Sequence, residues 1–407
     1  MAVGNVAIPD TIYPIEGVKL SATAAGVRYK DRDDLVVLEI AETASCAVVT
    51  TKNTFCAAPV RVLREHFDTH SPRYLVINTG NANAGTGADG KRRAQEICAA
   101  LATKAGVDTQ TVLPFSTGVI GEPLNSDAVI AGLDEALAGL AADKWLAAAN
   151  GIRTTDTIPK IASQKIEVAG SCYHVTGISK GSGMIRPNMA TMLGYVATDA
   201  NIKADLLQEM LGQINEQSFN RITVDGDTST NDCCVLIATG AASSEVIDSP
   251  EHPHYSAVLA ALTEVFVRLA QLIVRDGEGA TKFMTVKVTG GKVTQECCDV
   301  AYAVAHSPLV KTAFFASDAN WGRILAAVGY AGIEDLDTEQ VDVYLDEVMI
   351  CQNGVVAPDY TEEAGKAVMS RPEITVHIDL ARGDASDTVY TCDLSYDYVK
   401  INADYRS

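Results

Sequence analysis

Short apolar runs of strand character alternate with longer runs of helical periodicity along most of this 407-residue chain. That pattern confines the fold to layers of helix and sheet, because every apolar sheet face must be covered by helices or by a second sheet. Residues 35–40 and 73–78 read as strands, the second running into a glycine-rich turn. Residues 91–105 and 127–150 carry helical apolar spacing. Residues 165–177 alternate as a strand, and 192–198 read as a buried one. Helices are expected at 206–219 and at 255–275, the latter halted by Asp276-Gly277. Strands follow at 283–289, 341–350, 374–380 and 389–394, with a helix at 362–369. The expected class is α/β with α+β layering. Glycine and proline density rises at residues 181–191, between two apolar strands, which places a seam there.

Composition narrows the function. The formal net charge of −20 argues against nucleic acid and against anionic lipid as partners, while leaving room for a small anionic substrate in a locally basic cleft. Ten cysteines include no C-x-x-C pair and read as reduced thiols of a reducing compartment. The seven histidines form no metal-binding pattern, so no metal is implied. The N-terminal 20 residues lack the basic start and apolar stretch of a secretory signal. The alanine-rich stretch 127–150 is interrupted by Asp134, Glu135, Asp143 and Lys144, which suits an amphipathic helix and no membrane span. A soluble, cytoplasmic protein is expected.

Residues 180–193, Lys-Gly-Ser-Gly-Met-Ile-Arg-Pro-Asn-Met-Ala-Thr-Met-Leu, carry the chemistry. Two glycines and a proline make a loop able to hold unusual backbone angles, and it runs into Ala190 and then Thr191 at the head of an apolar strand. The Thr191 hydroxyl is placed to attack the Ala190 carbonyl. An N→O acyl shift followed by hydrolysis would leave Thr191 as a new N-terminus. A threonine hydroxyl needs a base, and a free α-amine, with a reference pKa of about 7.7–8.0, supplies one without any histidine. A plain loop entering a core strand is the competing reading of the same residues. Residues 113–123 contain Ser116-Thr117-Gly118, small residues whose N–H groups can form an anion nest or oxyanion hole; an ordinary strand-to-loop turn is the alternative. Residues 275–283 present Glu278 between two glycines, suited to meeting an ammonium group or, more simply, to ending a helix in a solvated acid.

Taken together, these segments resemble the ArgJ family of glutamate N-acetyltransferases and ornithine acetyltransferases. The match centres on residues 180–193 and is joined by 55–60, 78–84, 116–121, 154–157, 219–232, 275–283, 318–323 and 398–407, in order over the whole length. The resemblance implies a two-domain fold in which Thr191 starts a central strand, a precursor cut between Ala190 and Thr191 into an α chain (1–190) and a β chain (191–407), and assembly of two α with two β chains. It further implies that Thr191 takes the acetyl group from N2-acetylornithine and passes it to glutamate, with Thr117 and Gly118 as oxyanion hole. Thr154, Thr155, Lys180, Glu278, Asn402 and Ser407 fall on its substrate-contacting positions. No cofactor is implied; acetyl-CoA is left open as a second donor, with no adenine- or pantetheine-binding pattern visible.

Three positions depart from the family pattern. Arg186 stands where alanine is common and is expected to point to solvent, Ser407 replaces a terminal threonine, and Gly85 replaces a frequent cysteine. Two other functions compete: an N-terminal-nucleophile amidohydrolase or aminopeptidase, in which water takes the acyl group, and a self-processed scaffold without catalysis.

Overall fold

The computed structural model describes residues 2–186 and 192–404, which form three sheets and eleven helices. The first sheet holds β1 (Val18–Thr23), β2 (Leu35–Ile40), β4 (Tyr74–Asn81) and β5 (Val112–Val119) in that order, with β4 and β5 parallel. The second is ordered β3 (Ser45–Thr50), β9 (Cys233–Ala238), β8 (Leu193–Thr198), β7 (Ser171–Lys180) and β6 (Lys160–Val168), so β8 is its middle strand. Helices α1 (Ala58–Phe67), α2 (Gly87–Ala105), α3 (Ser126–Ala138) and α4 (Trp145–Gly151) interrupt the first half of the chain, and α5 (Ala204–Gln217) and α6 (Tyr255–Arg275) follow β8 and β9.

Strand periodicity explains how these elements stack. Successive side chains point to opposite faces. Leu35, Val37, Tyr74 and Val76 therefore join Ile97 and Leu101 of α2 and Val129 and Leu133 of α3. Their neighbours Val36, Leu38, Leu75 and Ile77 face the second sheet and meet Tyr195, Val235 and Ile237. The far side of that sheet, with Val196 and Leu236, packs on Leu211 of α5 and Phe266, Leu269 and Ile273 of α6. The result is a helix–sheet–sheet–helix stack. By length and composition α6 could cross a membrane, yet here it is a core helix covering the second sheet.

A third sheet, β13 (Val355–Val356), β12 (Val348–Gln352), β11 (Asp342–Leu345), β14 (Glu373–Asp379), β10 (Phe283–Gly291) and β15 (Ala385–Cys392), has its own core under α7 (Thr294–His306), α9 (Trp321–Gly329) and α10 (Glu362–Met369). It joins the stack through Phe283, Tyr390 and Cys392. The helices α8 (Pro308–Phe315) and α11 (Tyr396–Ala403) complete the chain.

Three expected elements are split. Residues 127–150 hold two helices, because Gly139 ends α3 and Ala141 pairs with Leu20 of β1 before α4 begins. Residues 165–177 span a hairpin whose turn, Ala169-Gly170, has positive φ at both positions (48° and 87°), the signature of a tight two-residue connection. Residues 341–350 likewise fold into the β11–β12 hairpin. The glycine-rich seam at 181–191 connects adjacent strands of one sheet. Strands from before it (β3, β6, β7) and after it (β8, β9) share that sheet.

Candidate active site

The cavity of interest lies where β5 and β7 end and β9 begins. β5 runs parallel to β4 until a bulge at Asn81, which opposes both Thr117 and Val119. At Gly118 the backbone takes φ 135°, and a Cβ there would sit 2.3 Å from the Gly80 carbonyl carbon. Only glycine meets both conditions. Beside it, the Thr117 hydroxyl accepts a hydrogen bond from Lys180 Nζ at 3.0 Å. Lys180 is the last residue of β7, so strand geometry aims its side chain at the end of β5.

Below the lysine is a buried network of alternating charge. Asp156 Oδ1 accepts from Lys160 Nζ (2.5 Å) and from the Gly181 N–H (2.7 Å), and Lys160 Nζ also reaches Asp276 Oδ2 at 2.7 Å. The side chains of Asp156, Lys160 and Asp276 are at most 1% exposed. Asp276 further accepts from the Thr157 N–H and hydroxyl. Charges so deep in the protein persist only when each is paired and hydrogen-bonded, as here. Burial alone would raise the Asp156 carboxyl, but the ammonium groups of Lys160 and Lys180 outweigh it and hold Asp156 below the ordinary aspartate value. Burial in turn lowers Lys180, with Asp156, Asp232 and Glu278 opposing that shift. Asp232, just before β9, is pushed well above the usual carboxylate range by burial, and its Oδ2 has no hydrogen-bond partner among the described residues.

Other segments close the cavity. Thr155 Oγ1 shares a 2.6 Å hydrogen bond with Ser182 Oγ, and the Glu278 N–H donates to the Ser182 carbonyl at 2.8 Å. Asn402 of α11 donates through Nδ2 to Glu278 Oε2 at 2.9 Å. Asn231 Nδ2 ties the start of β9 to the Ala82 and Ser116 carbonyls. The cavity volume is about 300 Å³.

Seven residues singled out from the sequence, Thr117, Gly118, Thr154, Thr155, Lys180, Glu278 and Asn402, all line this one cavity. Ala190, Thr191 and Ser407 lie outside the described residues. The strand that Thr191 precedes, β8, pairs with β7 so that Leu193 faces Lys180. Just before the undescribed stretch, Asp225 accepts the N–H groups of Met184 (2.6 Å) and Ile185 (2.9 Å), while Thr228 Oγ1 donates to the Arg186 carbonyl. Arg186 is exposed, as expected, but its guanidinium lies over the Tyr302 ring, 5.7 Å from the centroid. Sequence reading missed Lys160, whose position carries no motif. It also gave no role to Asp156 or Asp276, although both sit inside quoted segments. Among the described residues, no group of three or more His, Cys, Asp or Glu side chains is arranged to hold a metal ion.

A stacked two-sheet core with a small cavity of hydroxyls, one ammonium and one carboxylate is the framework of an enzyme for small polar molecules. The sequence pattern of the ArgJ family matches residues 19–407. The chain is 87% identical over its full length, and over the full length of the relative, to the arginine biosynthesis bifunctional protein ArgJ of Psychrobacter arcticus. It is 54% identical, again over all of both chains, to the protein of that name from Pseudomonas syringae pv. tomato. Among solved structures, the arginine biosynthesis bifunctional protein of Bacillus halodurans superposes with a TM-score of 0.51 at 43% identity, covering 53% of this chain and 100% of that one. The chain belongs to the ArgJ family. It is an acyltransferase of arginine biosynthesis.

Proposed function

We propose that this enzyme cuts itself between Ala190 and Thr191 and then carries acetyl groups on the Thr191 hydroxyl, from N2-acetylornithine to glutamate. One observation carries the reading: seven residues drawn from five separate segments converge on a single cavity of about 300 Å³, beside the strand that Thr191 precedes. In the first half-reaction the freed α-amine of Thr191 takes the hydroxyl proton, and the oxygen attacks the acetyl carbonyl. Thr117 and Gly118 hold the developing oxyanion; a donor of this kind is worth about 2.7–4 kcal/mol of barrier. Ornithine leaves, glutamate enters, and the same steps run in reverse to give N-acetylglutamate. Lys180 suits the substrate carboxylate and Glu278 the ammonium of ornithine. Thr154, Thr155, Asn402 and Ser407 supply further hydrogen bonds.

The length of the Bacillus halodurans polypeptide supports the cut, because about half of this chain spans all of it. The assembly we favour is two α and two β chains in the cytoplasm, working on small molecules without a cofactor; acetyl-CoA stands as a candidate second donor.

Intact-mass measurement of the purified protein tests this reading. Two fragments are expected, one ending at Ala190 and one beginning at Thr191, and Thr191→Ala is expected to be a single chain without acetyl transfer. An active preparation with residues 190 and 191 still joined would overturn it. Ornithine release that ignores glutamate would favour the hydrolase instead.

A further inference from the structure

A second constellation of nucleophile type lies on the second sheet, at the β6–β7 hairpin. Cys172 and His174 are two residues apart on β7 and so share a face. Cys172 Sγ is 3.9 Å from His174 Nε2, and His174 Nδ1 is 2.7 Å from Asp199 Oδ2. Asp199 Oδ1 also accepts the His174 backbone N–H at 2.8 Å, which fixes the carboxylate against the ring. A carboxylate on Nδ1 holds that nitrogen protonated and leaves Nε2 as the base facing the sulfur. Tyr13 packs against the imidazole with ring centroids 4.9 Å apart.

The charges around the thiol complete the arrangement. Across the hairpin, Glu167 pairs with Cys172 and Lys165 with His174. Directly opposed residues project to the same face about 4.5–5.5 Å apart. Lys165 and Glu167 are bound to each other at 2.8 Å. His174 meets the sulfur directly and Glu167 opposes Cys172 across the hairpin, while Lys165, Asp199 and Tyr13 surround the imidazole. Among the described residues, no other cysteine has this setting. Seven are buried. Burial pushes the Cys46 thiol up to about 12, and Cys56 lies 3.8 Å from Arg64 Nη1, with no imidazole hydrogen-bonded to it among the described residues.

We infer that Cys172, with His174 as base and Asp199 orienting it, is a reactive thiol that hydrogen peroxide oxidises to a sulfenic acid. The Cys172 proton passes to His174 Nε2. The thiolate attacks one peroxide oxygen, forming the S–O bond as the O–O bond breaks. The departing hydroxide takes the proton from His174 and leaves as water. Sulfur is oxidised by two electrons and peroxide is reduced, so the step balances with peroxide alone. A partly exposed thiol beside a cationic or basic group is the recognised environment for such chemistry.

The test treats the intact enzyme with iodoacetamide across pH 5–9, with a short exposed-thiol peptide in the same tube as standard, and reads each cysteine by peptide mass spectrometry. Cys172 is expected to react about tenfold faster than the standard at pH 7. His174→Asn and Asp199→Asn are expected to remove most of that advantage while acetyl transfer, the readout of intact fold, continues. After peroxide, a dimedone adduct is expected on Cys172. Reaction at the standard's rate in the unmodified enzyme, or a rate unchanged in folded His174→Asn, would overturn the inference, as would a dimedone adduct confined to other cysteines.

Discussion

Lys180 Nζ stands 3.0 Å from Thr117 Oγ1, so the ammonium that ends β7 donates to the hydroxyl beside Gly118. One lysine thereby serves two neighbours: it organises that end of β5, and it offsets the buried negative charge of Asp156. Lys180→Ala is expected to lower kcat/KM for acetyl transfer by at least about a hundredfold, or about 2.7 kcal/mol of barrier. Ornithine release measures it; a loss under threefold would separate Lys180 from the chemistry.

Gly118 makes a conformational prediction. A side chain there meets both a left-handed backbone angle and the Gly80 carbonyl carbon 2.3 Å away. Gly118→Ala is expected to destabilise the fold by about 3 kcal/mol, combining backbone strain with overpacking. Urea unfolding reads the change, and an unaltered midpoint would contradict the backbone geometry.

The Asp156–Lys160–Asp276 network predicts a pH dependence. The folded Asp156 is held below its unfolded value, so its contribution to stability is complete above about pH 4 and is lost as pH falls toward the folded value. Lys160→Met leaves two carboxylates buried without their cation and is expected to cost about 3–5 kcal/mol. It is also expected to shift acid unfolding to higher pH. Urea midpoints between pH 2 and 7 test both, and a parallel, unshifted profile would argue against the pairing.

His306 offers a probe of the loop before residue 187. Burial lowers its imidazole to about 4, and the cations of Arg186 and Lys311 add to that effect. Because the folded value lies below the unfolded one, His306 favours the folded state at neutral pH, an advantage lost as pH falls from about 6.5. Arg186→Ala is expected to raise the His306 pKa, followed by NMR of the imidazole protons. No movement would place Arg186 away from the ring.

Legibility in the sequence followed local physics. The helices Tyr255–Arg275 and Glu362–Met369 were readable to the residue, since periodicity and their stops agree. The β6–β7 hairpin was not, because Ala169-Gly170 turns the chain without interrupting the alternation on either side. Gly139 likewise ends α3 inside a stretch whose alanines continue the helical spacing. Strands β1, β3 and β9 went unread; β3 pairs with β9, a partner 193 positions away at Ser45↔Ala238. At the site, motif-bearing residues such as Lys180 and Glu278 stood out. Lys160 did not, for its meaning depends on Asp276, 116 positions distant.

The order of strands in the second sheet has a consequence for the life history of the molecule. β3 is zipped to β9 and β7 to β8, so each ladder joins a segment from before residue 187 to one from after 191. A break in the backbone between those positions would cut no ladder, and parting the two pieces would require melting the sheet itself. With both ladders intact across any such break, the two polypeptides would stay a single cooperative body, slow to trade halves with its neighbours.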